Sequence, residues 1–135
     1  MVSIISNGWT NFRNQHLINV LTVYASDVAF LESYDSSINA SSQNVAHLLL
    51  KTIKDVGSNN MVQVITDNAT NCKGAGKIIE CTHPHIFWSG CLVHTLNLLV
   101  HDIAKHKECG WFNQRYKKGK QLIKYVTWYT KINYF

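Results

Sequence analysis

The spacing of apolar residues switches between two periods along this chain, and each switch marks the edge of an element. Val2 to Ser6 is a short apolar run that predicts a first strand. Asn7-Gly8 follows as a turn signal, and Trp9-Thr10-Asn11-Phe12 continues as extended or irregular backbone with two large aromatics to bury. His16 to Tyr24, rich in Leu, Ile and Val, predicts a second strand; after a turn at Ser26-Asp27, Val28 to Tyr34 predicts a third. Three successive strands with short links favour an antiparallel meander.

Helical spacing takes over after the polar linker from Ser36 to Ser42. Val45, Leu48, Leu49, Thr52, Ile53 and Val56 share one face, Ser41 or Ser42 suits the N-cap, and Gly57 sits where a glycine ends a helix. That helix returns the chain for a strand over residues 61 to 66, which a right-handed crossover sets parallel to the first. Lys73 to Glu80 predicts a short helix, weakened by Gly74 and Gly76 unless those glycines allow another backbone to approach. Ile86-Phe87-Trp88 predicts a fifth strand. Cys91 opens a longer helix with Leu92, Leu96, Leu99, Val100 and Ile103 as its apolar stripe, beside a polar edge of Cys91, His94, Asn97 and His101. From Trp111 to Phe135, Leu122, Ile123, Val126, Tyr129 and Ile132 recur at helical spacing. Lys117, Lys118, Lys120 and Lys124 lie largely off that stripe, so an amphipathic helix is expected whose partner surface is not in this chain.

One stretch organises this pattern. In Met61-Val-Gln-Val-Ile-Thr-Asp67 a β-branched run ends in an acid and then in small polar residues, which is how a buried strand delivers a side chain to the edge of a sheet. Ligands of parallel sheets bind beyond the carboxyl ends of the strands, so Asp67 is a site candidate by position. Asp before Asn68-Ala69-Thr70 equally suits a helix N-cap, and spacing does not choose between the two.

Composition adds less. The chain has 135 residues, 46% of them hydrophobic, and holds no low-complexity tract, which indicates one folded domain rather than disorder. The formal charge of +5 is uneven: residues 1 to 104 hold five Lys/Arg against seven Asp/Glu, residues 105 to 135 eight against Glu108 alone. Such a basic tail fits either a nucleic-acid-facing segment or a solvated helix face. There is no signal-peptide pattern and no apolar run of the ~18 to 20 residues needed to span a bilayer, so a soluble intracellular protein is expected. Cys72, Cys81, Cys91 and Cys109 are then free thiols, and the sequons at Asn39 and Asn68 unused.

The predicted order β-β-β-α-β-α-β-α, with an acid closing the fourth strand, is that of a ribonuclease H-like fold: α/β, with a mixed five-stranded sheet, three antiparallel strands then parallel ones, and flanking helices. Three blocks carry a more specific likeness. Ile4-Ile-Ser-Asn7-Gly-Trp-Thr10, Val64-Ile-Thr-Asp67-Asn-Ala-Thr-Asn71 and Phe87-Trp-Ser-Gly-Cys91-Leu-Val-His94-Thr-Leu-Asn-Leu98 resemble successive blocks of the plant hAT-transposase-like proteins, in the domain of unknown function within them.

The resemblance implies a nuclear, transposon-derived protein. Its ancestral core would cut and join DNA with two Mg²⁺ or Mn²⁺ ions held by an Asp, a second Asp and a distant Glu. Two cations a few ångströms apart need several carboxylates to hold them. The family's first Asp lies between Ser and Gly-Trp-Thr, where this chain has Asn7, a neutral amide that lacks the charge Mg²⁺ relies on. Asp67 matches the second acid, and Cys91-x-x-His94 matches a Cys-x-x-His motif whose His belongs beside the cleavage site. A packing role for Cys91 and His94 stays open. The third acid belongs after a large helical insertion; Glu80, Asp102 and Glu108 match nothing in the pattern. The expectation is a catalytically inactive, truncated remnant: residues 1–108 part of the ribonuclease H-like domain, residues 109–135 a basic amphipathic helix opening the insertion.

Two other functions fit the residues. The basic helix, with Lys117, Lys118, Lys120 and Lys124 beside Trp111, Tyr116 and Tyr125, suits a small DNA- or protein-binding module, or contact with a homologous transposase-like chain. Cys81-x-His83-x-His85 with Cys91-x-x-His94 offers zinc ligands at atypical spacing. No Ser-His-Asp order, phosphate-binding glycine loop or dinucleotide fingerprint occurs, which sets other enzyme classes aside.

Overall fold

The computed structural model describes residues 1–11, 13–35 and 41–133, with side chains described as far as residue 129. Phe12, most of the linker at 36–42, Asn39 and the Ile132 side chain lie outside the described residues. The chain divides into two compact units, Met1–His94 and Thr95–Phe135.

The first unit is built on a five-stranded mixed sheet. Its strands are β1 (Val2–Thr10), β2 (His16–Val23), β3 (Val28–Asp35), β4 (Met61–Thr66) and β5 (Phe87–Gly90), in the spatial order β3-β2-β1-β4-β5. β1–β2 and β2–β3 are antiparallel, whereas β1–β4 and β4–β5 are parallel, the mixed α/β class and meander the sequence predicts. Helix α1 (Ser42–Val56) supplies the crossover from β3 to β4, and α2 (Thr70–Thr82) the one from β4 to β5.

Strand alternation puts Thr22, Ile4 and Val64 in one cross-strand row, all fully buried. Val45, Leu49 and Ile53 of α1 and Ala75 and Ile79 of α2 join them in a single core on that face. The opposite face, with the row Leu21–Ile5–Ile65–Ser89, is only half-buried. α1 begins at Ser41, whose hydroxyl accepts the Asn44 N–H at 3.3 Å, and ends at Gly57, whose φ of 98° suits a residue without a Cβ.

Two expectations need correction in this unit. Asn7-Gly8 is not a turn: both residues lie inside β1, opposite Asn19 and Ile18. The reversal comes later, where the Asn11 Oδ1 accepts from the N–H groups of Arg13 (2.9 Å) and Gln15 (3.0 Å) and Asn14 takes φ 58°. An Asn side chain holds its own following backbone in this way, and cross-strand pairing outweighs the local turn preference of Asn-Gly. Trp9, expected to be buried, is 49% exposed near the end of that hairpin.

α2 is also longer than Lys73 to Glu80. Its glycines admit side chains rather than a backbone: a Cβ on Gly76 would strike the Trp88 ring, and one on Gly74 the Ser42 side chain. Packing of this kind offsets the roughly 1 kcal/mol that each glycine costs a helix.

The second unit consists of the rest of α3 (Leu92–Lys105), a single 3₁₀ turn at Lys107–Cys109, and α4 (Gly110–Asn133). His101 meets Tyr116 edge-on, with ring centroids 6.3 Å apart, and Ala104 is buried. The predicted apolar stripe of α3 exists, but Leu92, Leu96, Leu99 and Ile103 on it are exposed. No helix among the described residues is long and apolar enough to cross a membrane.

Candidate functional site at the end of β4

β4 is the strand whose end gathers the polar side chains. Its parallel pairing with β1 runs in step through Ile4–Val64 and Ile5–Ile65, and Asn7 lies two residues beyond the last of these pairs. Gly8 follows directly: a Cβ there would lie 3.6 Å from Asp67 Oδ2, so the glycine leaves the space beside the carboxylate open. On the other side β5 continues the sheet, and the Cys91 N–H donates to the Thr66 carbonyl at 2.7 Å.

Asp67 is not the N-cap of α2. That position belongs to Ala69, which has no side chain to cap with, and Asp67 lies two residues earlier, its Oδ1 accepting the Ala69 N–H at 2.9 Å. Half-buried, it holds the turn from strand to helix with one oxygen and turns the other toward Gly8. An Asp in this place shapes the turn without capping the helix, and its second oxygen lies at the sheet's edge.

The neighbour the sequence did not single out is Cys72. It lies in the first turn of α2, buried, with its thiol against the Asp67 carboxylate and the Thr66 hydroxyl. Burial pushes this thiol up from 9.0 to about 12, the hydrogen bond to Asp67 and its negative charge adding to the effect, while Thr66 opposes it. Cys72 is therefore a protonated donor to Asp67 at ordinary pH, not a nucleophile. Its helical spacing with buried Ala75, Gly76 and Ile79 was the available signal, since in a helix opening at Thr70 it puts residue 72 on the inward face behind Asp67.

A second layer holds the end of β4 in place. The Trp88 indole N–H donates to Thr66 Oγ1 at 3.1 Å, its backbone N–H donates to Glu80 Oε1 at 3.0 Å, and its ring lies over Gly76. Asn68 packs against Gly90 so closely that a Cβ there would strike its side-chain oxygen. Glu80, which matched nothing in the family pattern, thus has a structural partner in β5.

The other sequence candidates fall as follows. Asn7 is exposed, on the same side of β1 as Ile5. Cys91, just before α3, and His94, in its first turn, are both half-buried. His83 and His85 meet edge-on at 5.8 Å, and the His85 ring nitrogen pairs with the Ser58 carbonyl at 3.0 Å. No group of three or more His, Cys, Asp or Glu that could hold a metal ion occurs among the described residues, so neither the zinc set nor a carboxylate cluster around Asp67 is brought together there. Lys117, Lys118, Lys120 and Lys124 lie exposed along α4, in the second unit.

No curated protein matches the chain. A sequence family described only as a domain of unknown function, DUF659, matches residues 1–122. With nine-tenths of its length inside that match, the chain belongs to the DUF659 family.

Proposed function

We propose that this DUF659 chain is a transposon-derived, hAT transposase-like domain with a ribonuclease H-like core that does not itself cut DNA. The observation that carries the proposal is the donor set at the end of β4. Beside the Asp67 carboxylate stand Gly8 and the protonated Cys72 thiol, and no group of three or more His, Cys, Asp or Glu forms there among the described residues. Two-metal phosphodiester chemistry clamps two cations about 3.5–4 Å apart between the attacking and leaving oxygens. A lone carboxylate whose Oδ1 already accepts a backbone N–H does not fit a pair of Mg²⁺ or Mn²⁺ ions. The three sequence blocks support the transposase-like origin, and the nuclear setting follows from that origin alone.

What the site retains is architecture. Asp67 and Cys72 tie the strand-to-helix turn, Trp88 clamps β5 to α2, and Gly8 leaves room beside the carboxylate. The test is incubation of the purified chain with supercoiled plasmid in Mg²⁺ or Mn²⁺. No nicking above background is expected; reproducible nicking that disappears in Asp67→Ala overturns the proposal. Asn7→Asp restores the acid that the family pattern has at that position, and Mn²⁺ affinity, read by calorimetry, is expected to rise on the order of tenfold.

A further inference from the structure

At the opposite end of β4 from Asp67, the first unit opens in a cleft of about 480 Å³. Lys54 in the last turn of α1, Ser58, Asn59 and Asn60 in the 3₁₀ turn leading into β4, and Thr82 and His83 at the end of α2 all line it. Its size falls within the ~300–1,000 Å³ that small-molecule sites occupy. One wall is pinned, because the His85 ring nitrogen pairs with the Ser58 carbonyl at 3.0 Å. Among the described residues, the side chains of Lys54, Asn59 and Asn60 have no hydrogen-bond or ion-pair partner, so their polar groups stand ready for a ligand.

Charge decides the class of that ligand. Two helix C-termini meet the cleft, and open carbonyls there would favour a cation. Three of those carbonyls are already taken: the Gly57 N–H donates to Ile53 at 3.0 Å, the Thr82 hydroxyl to Ile78 at 2.8 Å and the His83 N–H to Ile79 at 2.8 Å. Lys54 supplies a cation to the lining, and no Asp or Glu among the described residues lines it to oppose that charge. Asn59 and Asn60 each carry a donor and an acceptor side by side, which suits neighbouring hydroxyls that accept at one and donate at the other. A matching ligand therefore has one anionic group and several hydroxyls on a small frame. We infer that this cleft binds an anionic monosaccharide, with its phosphate or carboxylate on Lys54 and its hydroxyls on Asn59, Asn60 and Ser58. The inference concerns the other end of the sheet and does not rest on the function proposed for the end of β4.

The test follows backbone amide shifts of the isotope-labelled full chain at low salt, titrated with glucose 6-phosphate, glucuronate, glucose, inorganic phosphate and choline. One of the two anionic sugars is expected to move the Gly57, Asn59, Asn60 and His83 amides saturably, with a Kd of roughly 0.1–1 mM, while the Ala69 amide beside Asp67 stays in place. The tighter of the two tells phosphate from carboxylate. Lys54→Gln is expected to lose roughly tenfold in affinity, down to the level of glucose, and Lys54→Arg to keep it. Asn59→Ala with Asn60→Ala is expected to lose roughly tenfold for the anionic sugar and to leave inorganic phosphate unchanged, which separates the hydroxyl contacts from the charge. Lys54, Asn59 and Asn60 are all exposed, and circular dichroism checks that the variants stay folded; if one set does not, the other carries the test. Absence of saturable shifts overturns the inference, as does glucose, inorganic phosphate or choline binding as tightly as the anionic sugar. Wild-type affinity in both Lys54→Gln and the Asn pair overturns it too.

Discussion

α1 and α4 both show apolar residues at helical spacing, yet they are held in different ways. In α1 the stripe Val45, Leu49 and Ile53 is fully buried against the sheet, Ser41 caps the first turn and Gly57 closes the last. In α4 no described side chain is buried, and Leu122, Ile123 and Val126 are all more than half exposed. Apolar period alone therefore indicates that a segment winds as a helix, not that its stripe has a partner. α4 has length on its side, since helices beyond ~12–15 residues hold some structure by themselves. Local pairs add to it: Lys120 over Tyr116, and Tyr125 stacked on Tyr129 at 6.3 Å.

The sharpest way to break this comparison is a matched pair of truncations. Leu49→Ala, at a site with no exposure, is expected to cost about 2–5 kcal/mol in urea unfolding of the first unit. Leu122→Ala, 64% exposed, is expected to stay within about 0.5 kcal/mol in urea unfolding of the second unit. Equal losses would mean that the α4 stripe is covered after all.

Next in size is Gly76→Val. Its side chain must displace the Trp88 ring, and a loss of about 1–3 kcal/mol is expected, together with a changed tryptophan emission spectrum. Ser41→Ala removes the α1 cap for about 1 kcal/mol, read in the same urea unfolding.

A further effect, confined to alkaline conditions, is one of pH. Because the folded state holds the Cys72 proton up to about 12 against an ordinary 9.0, both states keep it below pH 9 and the stabilisation is fully present there. As pH rises from 9 towards 12 the unfolded chain releases the proton first, and stability falls. Cys72→Ala should flatten that alkaline limb in urea titrations; an unchanged limb would remove the Cys72–Asp67 contact from the account.

The end of β4 shows how much was legible beforehand. Asp67 was found because a β-branched run ending in an acid is a local signal, and Asn7 because its block could be compared residue by residue with a family pattern. Cys72 escaped because nothing in its immediate neighbours distinguishes a core thiol from one facing a carboxylate. Gly76 was read first as a weakness in α2, since helix propensity counts only the residue's own backbone. Trp88, which takes the vacated space, lies in a different element twelve residues further on. Asn7-Gly8 misled for the same reason: its turn preference is intrinsic, but its hydrogen-bond partners in β2 are not visible in the dipeptide.

By itself the order of apolar and polar residues determined the succession of strands and helices, the parallel sense of β4, the ends of α1 and the place of Asp67. These features depend on interactions within a few residues and on chain connectivity, which a sequence carries directly. Only the tertiary structure decided that β1 runs straight through Asn7-Gly8, that Cys72 closes on Asp67, that Trp88 fills the gap at Gly76 and that the α3 stripe faces outward. Each of those depends on which distant surfaces come within van der Waals reach, and that is a property of the packed chain rather than of any window along it.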